Sequence, residues 1–257
     1  MSVQFASLVR GMGGIGLMTV EVTKSLFTTR FQTREFIEQA WFMTSVTLMP
    51  TILVSIPFGA VISLQVGNLT GQLGAQSFAG ATAVLAVVRE AAPIAAALII
   101  AGAAGSAICS DMGARKIREE IDAMEVLGID PVVRLVTPRV VACLFVSVMI
   151  NGIVIATGIG GGYFFTVMVQ GGSAGAFLSS FTALASLPDL YISMVKAALF
   201  GFLAAIVGAH NGLRAAGGPS GVGRAVNESV IVAFMLLFVL NSLITAVYFQ
   251  VVPQDGL

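Results

Sequence analysis

Four polar side chains interrupt the long apolar stretches of this sequence: Arg89, Glu90, Lys196 and Asn241. Placing a charge in hydrocarbon costs several kcal/mol, so residues of this kind face a cavity, water or an opposite charge. An acid, two bases and an amide could bind a charged head group in one outward-opening pocket. Alternatively, Arg89 and Glu90 extend to the membrane interface and Lys196 forms a structural ion pair. The residues alone leave both interpretations open.

Residues 110–139, here called the charged segment, are the only long, densely charged passage. They contain six of the 13 acids and five of the 13 Lys and Arg residues. Ile117, Ile121 and Met124 fall on one stripe of a helix and the charges on its other faces, which predicts a short amphipathic helix. Gly128 suits the left-handed position after a helix end, so a defined stop is expected there.

Two further features bear on this helix. Ile129 can supply the apolar contact of the cap, and Pro131 prevents continuation. The weak ion pairs expected four residues apart are Arg115 with Glu119 and Arg118 with Asp122. A solvated loop is the ordinary interpretation of such a charge run, whereas a capped helix favours a surface on which a partner docks.

The composition indicates an all-α polytopic membrane protein. Of 257 residues, 57% are hydrophobic and 10% charged, and the mean hydropathy is +0.96. A soluble domain is less apolar and more charged. The 29 glycines suit helices that pack closely in lipid, and Gly158 with Gly162 forms a G-x-x-x-G pair.

No motif for catalysis is recognisable. The sequence has no G-x-x-x-x-G-K-[ST] loop for nucleotide phosphates, so any ATP must be held by a partner. His210 has no metal ligands at suitable spacing, and Cys109 and Cys143 are interpreted as small hydrophobic residues. We therefore expect no catalytic residue, metal or cofactor in this chain, and no nucleic-acid partner.

The apolar pattern predicts five membrane spans in one domain over residues 36–257, after an interfacial amphipathic helix within residues 1–35. The predicted spans are residues 41–65, 79–109, 135–169, 190–208 and 226–247. The predicted breaks between them are residues 67–76, the charged segment, 170–189 and 210–224.

The distribution of cations predicts the orientation. Eleven of the 13 Lys and Arg residues precede span 1 or follow spans 2 and 4. The positive-inside rule then places the N-terminus and the charged segment in the cytoplasm and the C-terminus outside, in a multi-pass protein of the cell (inner or plasma) membrane. Arg89, Glu90, Lys196 and Asn241 fall in the outer half of three spans.

Two motifs carry a resemblance to the MlaE/YrbE permease family. The first is REAAPIAAALIIAGAAGSAICSDMGARKIREEIDAMEVLGIDPVVRLVTPR, and the second is GGPSGVGRAVNESVI before the last span. The resemblance covers most of the chain from about residue 40 and looks closest to the actinobacterial YrbE subunits of Mce systems. Two positions depart from the family: Asn241, where some relatives have an acid, and Ala103, where many have an arginine.

This resemblance implies the permease of an ATP-driven ABC lipid transporter. The implied partners are a cytoplasmic ABC ATPase dimer that binds ATP and Mg²⁺, a second YrbE-like permease in a heterodimer, and MCE-domain proteins. The implied cargo is a lipid of the fatty acid, phospholipid, mycolate or sterol class.

The resemblance also implies site residues. Those of an ATPase-coupling helix would be Glu119, Glu120, Asp122, Ala123, Met124, Glu125, Leu127 and Gly128. We expect a lipid head group near Arg89, Glu90, Lys196 and Asn241, with acyl chains against Ile52, Ile56, Leu236 and Leu240. In the expected mechanism, the apolar stripe of the helix packs into the ATPase.

Two other functions stay open. An ion-coupled secondary transporter would use Arg89, Glu90 and Lys196 for coupling and would work without an ATPase. A non-transporting scaffold would use the charged segment only to recruit a cytoplasmic protein.

Overall fold

The computed structural model describes residues 2–28, 32–74, 79–169, 171, 173–175, 177–179 and 187–251. Over these residues the chain contains helices and no strand, which confirms the all-α prediction. Its helices of seven residues or more are α1 (Ser2–Thr28), α2 (Thr33–Gln72), α3 (Gly80–Ile117), α4 (Glu120–Val126), α5 (Val132–Val169), α6 (Leu187–Leu213) and α7 (Pro219–Val251).

Five of these helices are long and apolar enough to cross a membrane, namely α2, α3, α5, α6 and α7, as predicted. Two of them contain wider π-helical turns. These turns are Val87–Ala91 and Ile100–Gly105 in α3, and Val132–Val136 and Phe165–Val169 in α5.

Several predicted loops are wrong because the helices run past the apolar stretches. The break expected at residues 67–76 is helical to Gln72, and the one expected at 210–224 shrinks to residues 214–218. His210 therefore belongs to α6 and Arg224 to α7. Hydropathy marks where lipid ends, whereas a helix satisfies its own backbone hydrogen bonds and can continue into water.

The N-terminal helix is confirmed, with a shorter range than residues 1–35. It ends at Thr28, and α2 begins at Thr33. Met18, Val22 and Ser25 are buried, and the hydroxyl of Thr137 donates to the hydroxyl oxygen of Ser25 at 3.2 Å. One face of α1 is thus covered by protein, while a position along the membrane surface stays a prediction.

The chain divides into two compact units. Unit 1 comprises Met1–Ser45, Ile100–Val146 and Phe200–Leu237, and unit 2 comprises Val46–Ile99, Ser147–Leu199 and Phe238–Leu257. The charged segment lies in unit 1. Arg89, Glu90, Lys196 and Asn241 lie in unit 2.

Glycines allow close helix packing inside each unit. In unit 1, a Cβ added at Gly208 of α6 would lie 2.6 Å from the carbonyl oxygen of Gly105 in α3. In unit 2, a Cβ at Gly59 would overlap the backbone of Gly158, and one at Gly162 would overlap the side chain of Ser63. The helix-packing role predicted for Gly158 and Gly162 is confirmed.

Substitution of Gly208 by alanine should destabilise the protein by about 1–3 kcal/mol, because the new methyl group meets rigid backbone. Gly152→Ala is the matched control in α5, since a Cβ there has nothing within 4 Å and alanine favours a helix by up to about 1 kcal/mol. Thermal unfolding in detergent measures both. Equal melting temperatures for the two variants would contradict the close approach of α3 and α6.

Candidate functional site

The four intramembrane polar residues meet in unit 2 around the ammonium group of Lys196. This group donates to Glu90 Oε1 at 2.8 Å, to the carbonyl oxygen of Arg89 at 3.0 Å and to Thr245 Oγ1 at 2.8 Å. An ammonium group has three donors, so all of them are used. Lys196 is only 2% exposed, which makes this a buried and fully paired cation.

Glu90 accepts hydrogen bonds from two other helices, α6 and α7. Besides Lys196 of α6, it receives the hydroxyl of Thr245 on Oε1 at 2.9 Å and the amide of Asn241 on Oε2 at 3.0 Å, both from α7. Both carboxylate oxygens are therefore occupied. The Glu90 side chain is nevertheless 39% exposed, so it is the more accessible member of the Lys196 pair.

Pro93 explains why the carbonyl of Arg89 can accept from a side chain. Proline has no amide hydrogen, so the carbonyl four residues earlier loses its α-helical donor. The backbone widens into the π-helical turn Val87–Ala91 just before this proline. A proline in a helix favours irregular backbone in the preceding turn, and Arg89 and Glu90 lie in that turn.

A second pair adjoins the first. The Arg89 guanidinium donates to Asp189 Oδ1, which also accepts from the Tyr248 hydroxyl at 2.8 Å. The guanidinium carbon lies 5.7 Å from the centroid of the Tyr248 ring, within cation–π range. Asp189 is 1% exposed, so this pair is also largely removed from solvent.

We call these seven residues the buried polar cluster: Arg89, Glu90, Asp189, Lys196, Asn241, Thr245 and Tyr248. Its two formal positive charges are matched by two negative charges, so no net charge is buried. The structural pair predicted for Lys196 is confirmed. Arg89 and Glu90 also pair within the chain, and their extension to the membrane interface stays a prediction.

Asp189, Thr245 and Tyr248 were missed from the sequence. Asp189 was assigned to a loop, although it lies seven residues before Lys196 and therefore on the same helix face. Thr245 and Tyr248 follow Asn241 by four and seven residues, which is the same relation. Extending each helix and following its face would have found all three.

The side chains predicted to contact the acyl chains of a lipid differ in their exposure. Ile56 is 41% exposed, and Ile52, Leu236 and Leu240 are half-buried. Leu236 belongs to unit 1 and the other three to unit 2. Their contact with a lipid stays a prediction, as does head-group binding at the cluster.

The charged segment of unit 1 does not form the predicted single helix. Helix α3 continues to Ile117, the chain turns at Arg118 and Glu119, and α4 covers Glu120–Val126. Glu119 has φ 60°, a left-handed conformation that breaks the helix between Ile117 and Ile121. Residues Glu119, Leu127 and Gly128 of the predicted coupling set thus flank α4 rather than belong to it.

The predicted helix stop is confirmed in detail. Gly128 has φ 72° and donates to the carbonyl of Glu125 at 3.0 Å, and Ile129 donates to the carbonyl of Met124 at 2.9 Å. These two bonds are the Schellman pattern. The end of α4 is therefore held in one geometry.

The faces of α4 differ from the predicted stripe. Ile121 is 4% exposed and packs within the chain, so it cannot also pack into a partner. The apolar side chains left in the open are Val126 at 89% and Leu127 at 74% exposed. An outward apolar surface exists, but it lies at the end of the helix.

The ion pairs of the charged segment also differ from the predicted ones. Arg118 donates to Glu120 at 2.7 Å instead of Asp122, and Lys116 pairs with Asp122. The hydrogen bond from Arg118 lowers the pKa of Glu120, which therefore stays ionised at neutral pH. Because Glu119 turns away in its left-handed conformation, the predicted spacing of four residues no longer applies.

Among the residues that the structure describes, no group of three or more His, Cys, Asp or Glu side chains could hold a metal ion. Cys109 and Cys143 are free and buried.

Comparison with known proteins places these features in a family. The model of the family Permease MlaE matches residues 36–247. The chain belongs to the MlaE permease family. Its relatives include proteins named probable ABC transporter permease protein. One from Synechocystis is 28% identical over 91% of this chain and 89% of its own length.

Two rickettsial proteins with the same description support the assignment. The one from Rickettsia conorii is 30% identical over 97% of this chain and 95% of its own length. The one from Rickettsia typhi is 33% identical over 75% of this chain and 74% of its own. Ala103, where the MlaE-type motif often has arginine, lies half-buried in the π-helical turn Ile100–Gly105.

Replacement of Lys196 by methionine should destabilise the protein by about 1–3 kcal/mol, because Glu90 loses its cation but is itself 39% exposed and keeps its hydrogen bonds to Thr245 and Asn241. The double variant Glu90→Gln/Lys196→Met should recover part of that loss. Lys116→Met is the control, since the Lys116–Asp122 pair is exposed and such pairs contribute about 0–1 kcal/mol. Thermal unfolding that is the same for Lys196→Met and Lys116→Met would contradict the burial of this charge.

Proposed function

We propose that this chain is the membrane-spanning subunit of an ATP-driven ABC transporter that moves a lipid. The observation that carries the proposal is the capped helix α4 with its open apolar end. A rigid, charged helix at the end of two spans is a suitable element for receiving a movement from another protein. The names of the relatives point to the same transporter class.

The docking surface would consist of the acids of α4 and the two exposed side chains beside them. Val126 and Leu127 are apolar and almost fully open, and a partner groove would cover them. Interface energy concentrates in such apolar anchors, while surrounding charges set the orientation. The partner would be a cytoplasmic ATPase dimer, and it would hold the ATP and Mg²⁺.

The cation distribution supports a cytoplasmic position for this surface. The charged segment carries five of the 13 Lys and Arg residues, and the positive-inside rule places such loops in the cytoplasm. The N-terminus would lie on the same side of the inner or plasma membrane, and the C-terminus outside.

The buried polar cluster would be the lipid-responsive part. Glu90 and Arg89 keep 39% and 21% of their side chains exposed, so a polar head group could approach them while Lys196 stays enclosed. Acyl chains would lie on apolar side chains such as Ile52, Ile56, Leu236 and Leu240. Each buried CH₂ contributes roughly 0.8 kcal/mol to lipid binding.

Two helices have apolar surface that the rest of the chain leaves largely uncovered. Only 28% of the most apolar window of α2 and 17% of that of α7 is buried within the chain. A second permease, in a heterodimer of YrbE type, would cover part of this apolar surface and lipid the rest. MCE-domain proteins would receive or deliver the lipid on the outer side.

Substitution of Leu127 by aspartate should prevent the ATPase from co-purifying with the tagged chain, because a charge would enter the apolar contact. Leu73→Asp is the matched control: Leu73 is 80% exposed and Leu127 74%, but Leu73 follows α2. The measurement is ATP hydrolysis by the purified complex, with mass spectrometry to identify the nucleotide-binding subunit. Equal hydrolysis by both variants would refute the docking surface.

Energy coupling separates this proposal from the secondary transporter. Vesicles containing the complex and a fluorescent phospholipid should transfer lipid only with ATP. Transfer driven by an ion gradient without any ATPase would overturn the proposal. Lipid transfer that is unchanged by Lys196→Met in a folded protein would favour the scaffold.

A further inference from the structure

A buried arginine in unit 1 joins three helices. Arg139 was predicted to lie at the end of the exposed charged segment, yet it is 1% exposed and belongs to α5. Its guanidinium donates to the carbonyl of Leu135 at 2.7 Å and to Asp111 Oδ2 of α3 at 2.8 Å. It also lies 3.3 Å from Glu35 Oε1 of α2.

The pairs continue from Asp111 to α4. Arg115 Nε donates to Asp111 Oδ1 at 3.2 Å, and Arg115 Nη1 donates to Glu120 Oε2 at 3.3 Å. Glu120 is the first residue of α4. Glu35, Arg139, Asp111, Arg115 and Glu120 thus form one continuous sequence of opposite charges, here called the ion-pair series, from α2 to α4.

The order of the helices along the chain determines which spans a movement of α4 can reach directly through the backbone. Helix α4 follows α3 and precedes α5, with short connections on both sides, so a movement of α4 reaches those two spans through the backbone. Helix α2 has no such connection to α4. Its chain connection to α4 runs from the C-terminal end of α2 through the length of α3, so the side-chain contacts of the series are the direct route from α4 to the beginning of α2.

A pocket lies beside the series. A cavity of about 270 Å³ adjoins Asp111, Arg115 and Arg139, and its wall includes Gln39 and Met43 of α2. Charged hydrogen bonds hold their geometry more specifically than apolar contacts do, and a buried arginine strongly favours remaining paired.

We propose that the ion-pair series is the mechanical link by which a displacement of α4 moves the beginning of α2. Arg139 is the central positioning residue, and Glu35 is the point at which α2 is held. This inference rests on the proposed function, because it requires an ATPase that moves α4. It adds the path by which the movement reaches the span that the chain does not connect directly to α4.

The experiment compares two glutamates of α2 that are three residues apart. Glu35 pairs across to Arg139, whereas Glu38 pairs with Arg34 within α2. Glu35→Ala leaves Arg139 paired with Asp111, so the buried charge keeps a partner. Glu38→Ala is the matched control, because its exposed pair lies outside the series.

The first readout is the amount of fluorescent phospholipid transferred per ATP hydrolysed by the intact complex in vesicles. Glu35→Ala should retain ATP hydrolysis but transfer at least about fivefold less lipid per ATP. Glu38→Ala should stay within about twofold of the unsubstituted complex. Equal ratios in all three complexes would overturn the inference. An unsubstituted complex that hydrolyses no ATP would refute the proposed function instead.

The second readout reports movement directly and does not depend on transport. A nitroxide attached at Ile37→Cys would sit on an open position, since Ile37 is 62% exposed and both native cysteines are buried. A non-hydrolysable ATP analogue should change its spectrum in the Glu38→Ala complex and not in the Glu35→Ala complex. A change of the same size in both would overturn the link.

A second variant covers the case in which Glu35→Ala yields no intact complex. Arg115→Met breaks the series between α3 and α4 while keeping the length of the side chain. It should reduce lipid transfer per ATP in the same way as Glu35→Ala. An Arg115→Met complex with the unsubstituted ratio would overturn the inference.

Discussion

The cost of burying charge in an apolar chain is the constraint on which this structure depends. Among the residues whose burial the structure describes, the two largest fully buried side chains are both cations, Arg139 in unit 1 and Lys196 in unit 2. Each is paired with carboxylates from other helices, Asp111 and Glu35 for the first and Glu90 for the second. Removing the carboxylates would leave a buried cation unpaired in low dielectric, so each pair constrains which helices can be neighbours.

Backbone chemistry determines where these pairs can form. Pro93 leaves the carbonyl of Arg89 without its α-helical donor, and Lys196 donates to that oxygen. Gly128 allows the left-handed turn that ends α4, so the helix stops at a defined residue. Pro93 thus frees a carbonyl oxygen to accept from a side chain, and Gly128 allows the chain to reverse direction. A single residue with special backbone properties therefore shapes each site, Pro93 in the buried polar cluster and Gly128 at the candidate docking surface.

Much of the fold and part of the site could be predicted from the sequence. Five apolar helices, the N-terminal helix and the stop at Gly128 follow from hydropathy and turn chemistry, which are local properties. The similar depth of Arg89, Glu90, Lys196 and Asn241 in three spans made their convergence one of the two interpretations that the sequence left open. The helix ends were less predictable, because a helix that satisfies its own hydrogen bonds does not stop where lipid does.

The partners within the charged segment were the least predictable feature. A spacing of four residues suggested Arg115 with Glu119, but the left-handed Glu119 redirected Arg115 to Glu120 and Arg118 to the same carboxylate. In the sequence, nothing distinguished Arg139 from the other cations of the charged segment. In the structure it is buried and paired with residues of α2 and α3. The burial of Ile121 within the chain likewise reversed the predicted role of the apolar stripe.

By itself, the sequence determined that this chain is a bundle of membrane-spanning helices with one charged, capped connection. Hydropathy and turn residues determine structure over neighbouring positions, so their effect does not depend on which helices come into contact. Only the tertiary structure decided which charges meet, because Asp189 pairs with a residue 100 positions away and the Glu35–Arg139 contact also joins distant parts of the chain. Such pairing depends on which helices are neighbours in space, and neither residue spacing nor hydropathy determines that arrangement.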